Sequence, residues 1–195
     1  MSAPARRWLA VLAGTAALAG CGGGASETPE RGGRPASLPH GWRTVGNRDA
    51  GFTIGIPRHW SERTRRGATL IRSLDRLVAT TIGADRGSQG RSSPPAQYAE
   101  DTLRGLPDFE GDVSPRIRRV RGSPYRSARV DGTGTLGRTR RAQLITVAVF
   151  QRPGVVTYTA VVFRNALATS GRDEAAVSRM LRTLRAAAQR SGRSG

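Results

Sequence analysis

Large apolar residues recur along this chain at two spacings, every second position over most of its length and every third or fourth in two stretches. Phe52-Thr53-Ile54-Gly55-Ile56 alternates large with small residues and stops at Pro57, the pattern of a half-buried strand. Trp42 to Val45 predicts a short strand before it, turn-forming residues run from Asn47 to Gly51, and Trp60 is placed to fold back over the core edge. Ala68 to Ser73 and Arg76 to Ile82 predict a hairpin turning at Leu74-Asp75, followed by an exposed glycine- and serine-rich loop over Gly83 to Ser92. Further strands are expected over Pro115 to Val120 and Tyr125 to Gly132. The strongest pair is Ala142 to Phe150 with Val155 to Phe163, joined by Pro153-Gly154, where proline fixes one dihedral and glycine permits positive φ. Its apolar run is nearly continuous, which predicts a central hairpin buried on more than one face.

The helical spacing appears first after Ser93, where Pro94-Pro95 suits a helix start, Ala99, Thr102, Leu103 and Leu106 share a face, and Pro107 is a stop. It returns after Ser170, a cap with Asp173 three residues on, where Val177, Met180, Leu181 and Leu184 form one stripe and Arg172, Arg179, Arg182 and Arg185 fall mostly away from it. Met180 belongs to core packing in this pattern. Strands, helix, strands, helix predicts an α+β fold, an antiparallel β-sheet of about six to seven strands flanked by two helices.

The N-terminus carries a different kind of signal. Arg6 and Arg7 precede an apolar stretch from Trp8 to Leu18, short of the about 20 residues a membrane-crossing helix needs. It ends in Leu18-Ala19-Gly20-Cys21, which resembles the lipobox of bacterial lipoproteins. The resemblance implies that Cys21 receives a diacylglyceryl group, that a peptidase cuts between Gly20 and Cys21, and that the membrane is a partner through that anchor. Two acyl chains hold stably where one holds marginally, at roughly 0.8 kcal/mol per buried CH₂. A plain secretory signal with an incidental cysteine and an uncleaved anchor are the alternative readings.

The divisions expected are a signal peptide over 1–20, a lipidated tether over 21–40, poor in large apolar residues, one α+β domain over 41–188 and a polar tail over 189–195. A domain of about 150 residues buries ~70% of its unfolded surface and stands alone. Cys21 is the single cysteine, so the domain has no internal disulfide and relies on its core.

The formal net charge is +18, and all 32 basic residues are arginine, a bias that fits a GC-rich coding habit. Arg116, Arg118, Arg119 and Arg121, or Arg138, Arg140 and Arg141, would suit nucleic acid inside a cell, but the export signal makes nucleic acid an unsuitable partner. Outside, the same field meets anionic headgroups or wall polymers, or serves only as a solvated surface.

The chain offers little chemistry. Gly132-Thr133-Gly134-Thr135-Leu136-Gly137 matches the dinucleotide spacing, yet Arg138 to Arg141 leads into a strand-rich run instead of a helix, so it reads as a flexible turn between strands. His40 falls in the tether, and His59 stands between Arg58 and Trp60 without a nucleophile motif. Asp108, Glu110 and Asp112 lack the calcium-loop spacing and read as a solvated acidic loop, while Glu100 and Asp101, adjacent on a helix, point apart. No catalytic set, metal site or cofactor is predicted.

Trp42, Gly51-Phe52-Thr53-Ile54-Gly55-Ile56-Pro57-Arg58-His59-Trp60, the long hairpin and the closing Met180-Leu181-Arg182-Thr183-Leu184 together resemble the PsbP-like and LpqN-like lipoproteins of the Mog-type α/β/α sandwich superfamily, from about Gly41 to Ala187. The resemblance implies a non-catalytic binding or accessory module, since that superfamily includes photosystem accessory proteins and a small-GTPase binder and shares no catalytic set. The function expected is therefore a membrane-anchored lipoprotein that engages another envelope protein. The alternatives are a binder of a small molecule or anionic polymer and, least favoured, an envelope hydrolase.

Overall fold

The computed structural model describes residues 38–187, apart from 66, 88–91, 115, 138–140 and 169. The stretch expected to be a signal peptide over 1–20, Cys21, the expected tether as far as 37, Arg138, Arg140 and the expected tail over 189–195 all lie outside the described residues.

Among the described residues, ten strands and two helices follow in the order β1 (Trp42–Asn47), β2 (Phe52–Pro57), β3 (Ser61–Arg65), β4 (Ala68–Arg72), β5 (Val78–Asp85), α1 (Pro95–Arg104), β6 (Phe109–Val113), β7 (Arg126–Leu136), β8 (Gln143–Arg152), β9 (Val156–Asn165), α2 (Gly171–Arg182) and β10 (Arg185–Ala186). Seven strands form one antiparallel sheet in the order β3-β4-β5-β9-β8-β7-β6, and β1-β2-β10 form a second sheet of three. The fold is α+β. The single sheet expected from the sequence is two, because β1 and β2 leave the large sheet and are completed by β10, a two-residue strand too short to show any alternation.

The β8–β9 hairpin sits at the centre as its pattern predicts, with Gly154 at φ 72° closing the turn. Alternation sends its residues to two cores. Ala148, Phe150, Tyr158, Ala160 and Val162 face the cluster shared with Phe52, Ile54, Ile56, Trp60 and the α2 residues Val177, Met180 and Leu181. Ile145, Val147 and Val149, with Val161 and Phe163 at the margin, face the cluster built on Tyr98, Ala99 and Leu103 of α1. Apolar residues at consecutive positions are therefore required.

Both helices begin as the sequence predicts. Pro94 precedes α1, and Ser170 and Asp173 form a reciprocal capping box on α2. The α2 helix stops at Arg182, so Leu184, fully buried, reaches the core from the link to β10. Thr183 joins this end to the small sheet, its hydroxyl accepting from the Gly55 N–H at 2.8 Å. A side chain at Gly55 would run into Leu38 and Thr183.

Four loop or strand expectations are corrected. Val78–Asp85 carries β5 into the stretch expected to be loop. Residues 116–120 form no strand, only an isolated bridge between Arg118 and Arg129, because four exposed side chains precede the one buried residue, Val120. Asp108 to Asp112 is not a loop beyond its first residue: β6 pairs Glu110 with Thr135 and Asp112 with Thr133, leaving its acidic side chains exposed on an edge. The glycine repeat is likewise strand, since β7 runs through Gly132 and Gly134 to Leu136. Its glycines serve close packing: a Cβ on Gly132 would lie 3.0 Å from Leu103 Cδ2, and one on Gly134 would lie 2.7 Å from Phe109 Cε2 and collide with the Glu110 carbonyl.

Candidate functional site

A groove of about 650 Å³ opens on the α1 side of the large sheet. Its floor is the end of β7 and β8, at Arg126, Ser127, Ala128 and Gln151, and its walls are the approach to α1 from Ser92 to Ala96 and the segment Ile117 to Arg119. Gln151 is buried and its Nε2 donates to the Ser93 carbonyl at 2.6 Å, which pins the start of α1 to the sheet. On the opposite wall, Arg118 and Arg129 exchange backbone hydrogen bonds of 2.9 and 2.6 Å, and Ser127 Oγ accepts from the Val120 N–H at 3.3 Å. Main-chain pairing thus holds Arg118 in place and leaves its side chain available to face a ligand.

Those side chains are basic. Arg118, Arg119 and Arg126 are exposed and form no ion pair among the described residues. The α1 N-terminus adds to the same sign: Pro94 supplies no side-chain cap and the first turn holds no acidic residue, so the positive end of the helix is uncompensated there. Ile117, 42% exposed, contributes one apolar surface. Two of the four arginines singled out in the 116–121 run line the groove; Arg116 and Arg121 do not, and Arg141 of the second run is exposed elsewhere. Arg126 and Gln151 carry no sequence signal of membership, because only strand register brings them to this wall.

A second polar constellation lies on the other face, between the sheet and α2. Arg129 is 2.9 Å from both Asp131 and Glu174, and Arg164, 5% exposed, pairs with Glu174 and stands 3.9 Å from Asp131. Thr146 Oγ1 accepts from Arg164 at 2.8 Å and donates to Asp131. Burial, and then the neighbouring Arg129 charge, hold the Arg164 pKa below its usual value, with Asp131 opposing. Two cations and two carboxylates balance here, and the group fastens α2 to the sheet.

His40 and His59 are exposed. Among the described residues no group of three or more His, Cys, Asp or Glu is arranged to hold a metal ion, and no helix is long and apolar enough to cross a membrane. Asp108, Glu110 and Asp112 are spread along the β6 edge, and Glu100 is paired with Arg104 within α1 at 2.8 Å.

No family model and no curated protein matches the chain. Among solved structures, a protein from Bacteroides thetaiotaomicron VPI-5482 is similar with a TM-score of 0.53 at 11% identity, over 75% of this chain and 48% of its own. The chain therefore spans about half the length of that protein, and the likeness is one of fold. The Ran-binding protein Mog1p of Saccharomyces cerevisiae matches with a TM-score of 0.48 at 7% identity, over 74% of this chain and 95% of its own. LpqN of Mycobacterium tuberculosis, involved in cell envelope biogenesis, matches with a TM-score of 0.46 at 16% identity, over 72% of this chain and 87% of its own.

Proposed function

We propose that this protein is a lipid-anchored, extracytoplasmic binding module, attached through Cys21, that performs no catalytic step and takes an anionic group of an envelope component into the groove beside α1. The anchor rests on the order of basic start, apolar run, small residues and cysteine at the N-terminus. The observation that carries the binding reading is the convergence of Arg118, Arg119 and Arg126, all exposed and without carboxylate partners among the described residues, on one concave wall with the start of α1, which has no side-chain cap. Guanidinium groups bind phosphate and carboxylate in bidentate fashion, which suits a repeating anionic polymer. A partner protein presenting acidic and apolar side chains is the second reading, favoured by the exposed Ile117 in the same groove.

Titration of the protein with inorganic polyphosphate and with a polyglutamate peptide tests the groove. The triple substitution R118Q, R119Q and R126Q is expected to weaken polyanion binding at least about tenfold and to flatten its salt dependence. Binding that is absent, or that the triple variant retains, overturns the reading. Preference for polyglutamate would favour the protein partner.

A further inference from the structure

Four exposed arginines lie around Leu38, where the described part of the chain begins. Leu38 packs against Gly55 beside Thr183, at the C-terminal end of α2. Arg58 lies at the same end of β2, its N–H donating to the Gly41 carbonyl at 2.8 Å. Arg179 stands 6.0 Å from the centre of the half-buried Trp42 ring, and Arg182 Cδ would meet a Cβ on Gly122 at 3.7 Å, which brings Arg121 into the group. All four arginines are exposed, and none forms an ion pair among the described residues. The acidic residues of α2, Asp173 and Glu174, are in its first turn, at the opposite end and engaged by Ser170, Arg129 and Arg164. Arg179 and Arg182 also answer the negative end of the helix, an ordinary structural use. Arg58 and Arg121 belong to no helix and need another account.

We infer that this face docks on a bilayer bearing anionic phospholipid headgroups. The inference rests on the proposed anchorage at Cys21. From Cys21 to Leu38 the chain spans at most about 60 Å even fully extended, so an anchored domain stays beside the surface and the face meets it at high effective concentration. Each basic residue close to an anionic bilayer strengthens attachment about fivefold, and an amphipathic tryptophan such as Trp42 suits the same boundary.

The test uses the full chain as recovered from membranes, placed in vesicles of phosphatidylcholine alone or of phosphatidylcholine with phosphatidylglycerol. The mass of the N-terminal peptide reports first whether Cys21 carries lipid, so failure of the anchor is scored apart from failure of the face. Hydrogen exchange is expected to slow severalfold around Trp42, Arg58, Gly122 and Arg182 in the anionic vesicles only. The substitutions R58Q, R121Q, R179Q and R182Q together should abolish that protection. Removing the same charge at Arg63, Arg65, Arg72 and Arg76, exposed on β3, β4 and the turn beyond, should leave it intact. If the first variant unfolds, the comparison of the two vesicle types and the control variant still decides. Equal protection in both vesicles, loss in the control variant, or equal protection by soluble polyphosphate in neutral vesicles would overturn the inference.

Discussion

Arg164, in the central strand β9, forms an ion pair with Glu174, in the first turn of α2, and so crosses the boundary between the sheet and the helix that covers it. Arg164 is 5% exposed while Glu174 is 41% exposed. Removing the carboxylate leaves a buried cation with only the more distant Asp131 opposite it. Glu174→Ala is expected to cost about 2–3 kcal/mol in urea unfolding, less than the ~3–5 kcal/mol of a fully buried pair because Glu174 is already partly solvated. Replacing both partners by apolar residues, R164M with E174L, should recover most of that loss.

Gly132 and Leu103 form a matched pair at the contact of β7 with α1. A Cβ on Gly132 would lie 3.0 Å from both Leu103 Cδ2 and the Asp112 carbonyl. Gly132→Ala should destabilise by about 1–3 kcal/mol through overpacking, and Leu103→Ala by ~2–5 kcal/mol through cavity formation. The double variant should cost less than the two added together, a coupling that denaturant unfolding of the four proteins would measure.

Tyr158 is buried between Phe52 and Tyr125 and donates its hydroxyl to the Gly51 carbonyl at 2.7 Å. Burial, with Tyr125 adding to it, pushes its pKa above the usual phenol range. A raised folded-state value means that this tyrosine's share of stability is intact below the unfolded pKa of about 10 and is lost as pH climbs from there through the folded value. Ultraviolet titration of phenolate should show a component that ionises late, or only with unfolding, and Tyr158→Phe should diminish it.

Thr159 on β9 has a buried hydroxyl without a hydrogen-bond partner among the described residues. Valine has nearly the same shape and no oxygen to desolvate. Thr159→Val is therefore expected to stabilise by about 1 kcal/mol, a rise of ~2–4 °C in a thermal melt. An unchanged or lowered melting temperature would count against the orphaned hydroxyl.

The hairpin of β8 and β9 and the start of α2 are legible in the sequence because local signals agree there: β-branched and aromatic residues, a Pro153-Gly154 turn, a Ser170–Asp173 box. β3 is illegible for the opposite reason. Its five residues are all exposed, and it is a strand only because β4 offers an open edge, with Arg43 from β1 bonding Glu62. β6 and the glycine repeat mislead because glycine and acidic residues are poor strand formers, and pairing Gly111 with Gly134 allows a closeness that larger residues forbid. The groove shows the same limit. Arg118 and Arg119 announce charge in the sequence, but their meeting with Arg126 and Gln151 depends on the bridge to β7 and the register of β7 with β8.

The Gly55–Thr183 hydrogen bond joins residues 128 apart in sequence, and β10 completes the sheet that β1 and β2 begin. During synthesis the small sheet lacks its third strand until nearly the whole domain has been made. Such long-range closure slows folding and leaves the early hairpin dependent on its last-made partner. A chain truncated before Arg185 would lose the strand that closes the small sheet, and with it the pairing that holds Phe52 and Thr53 at the start of β2.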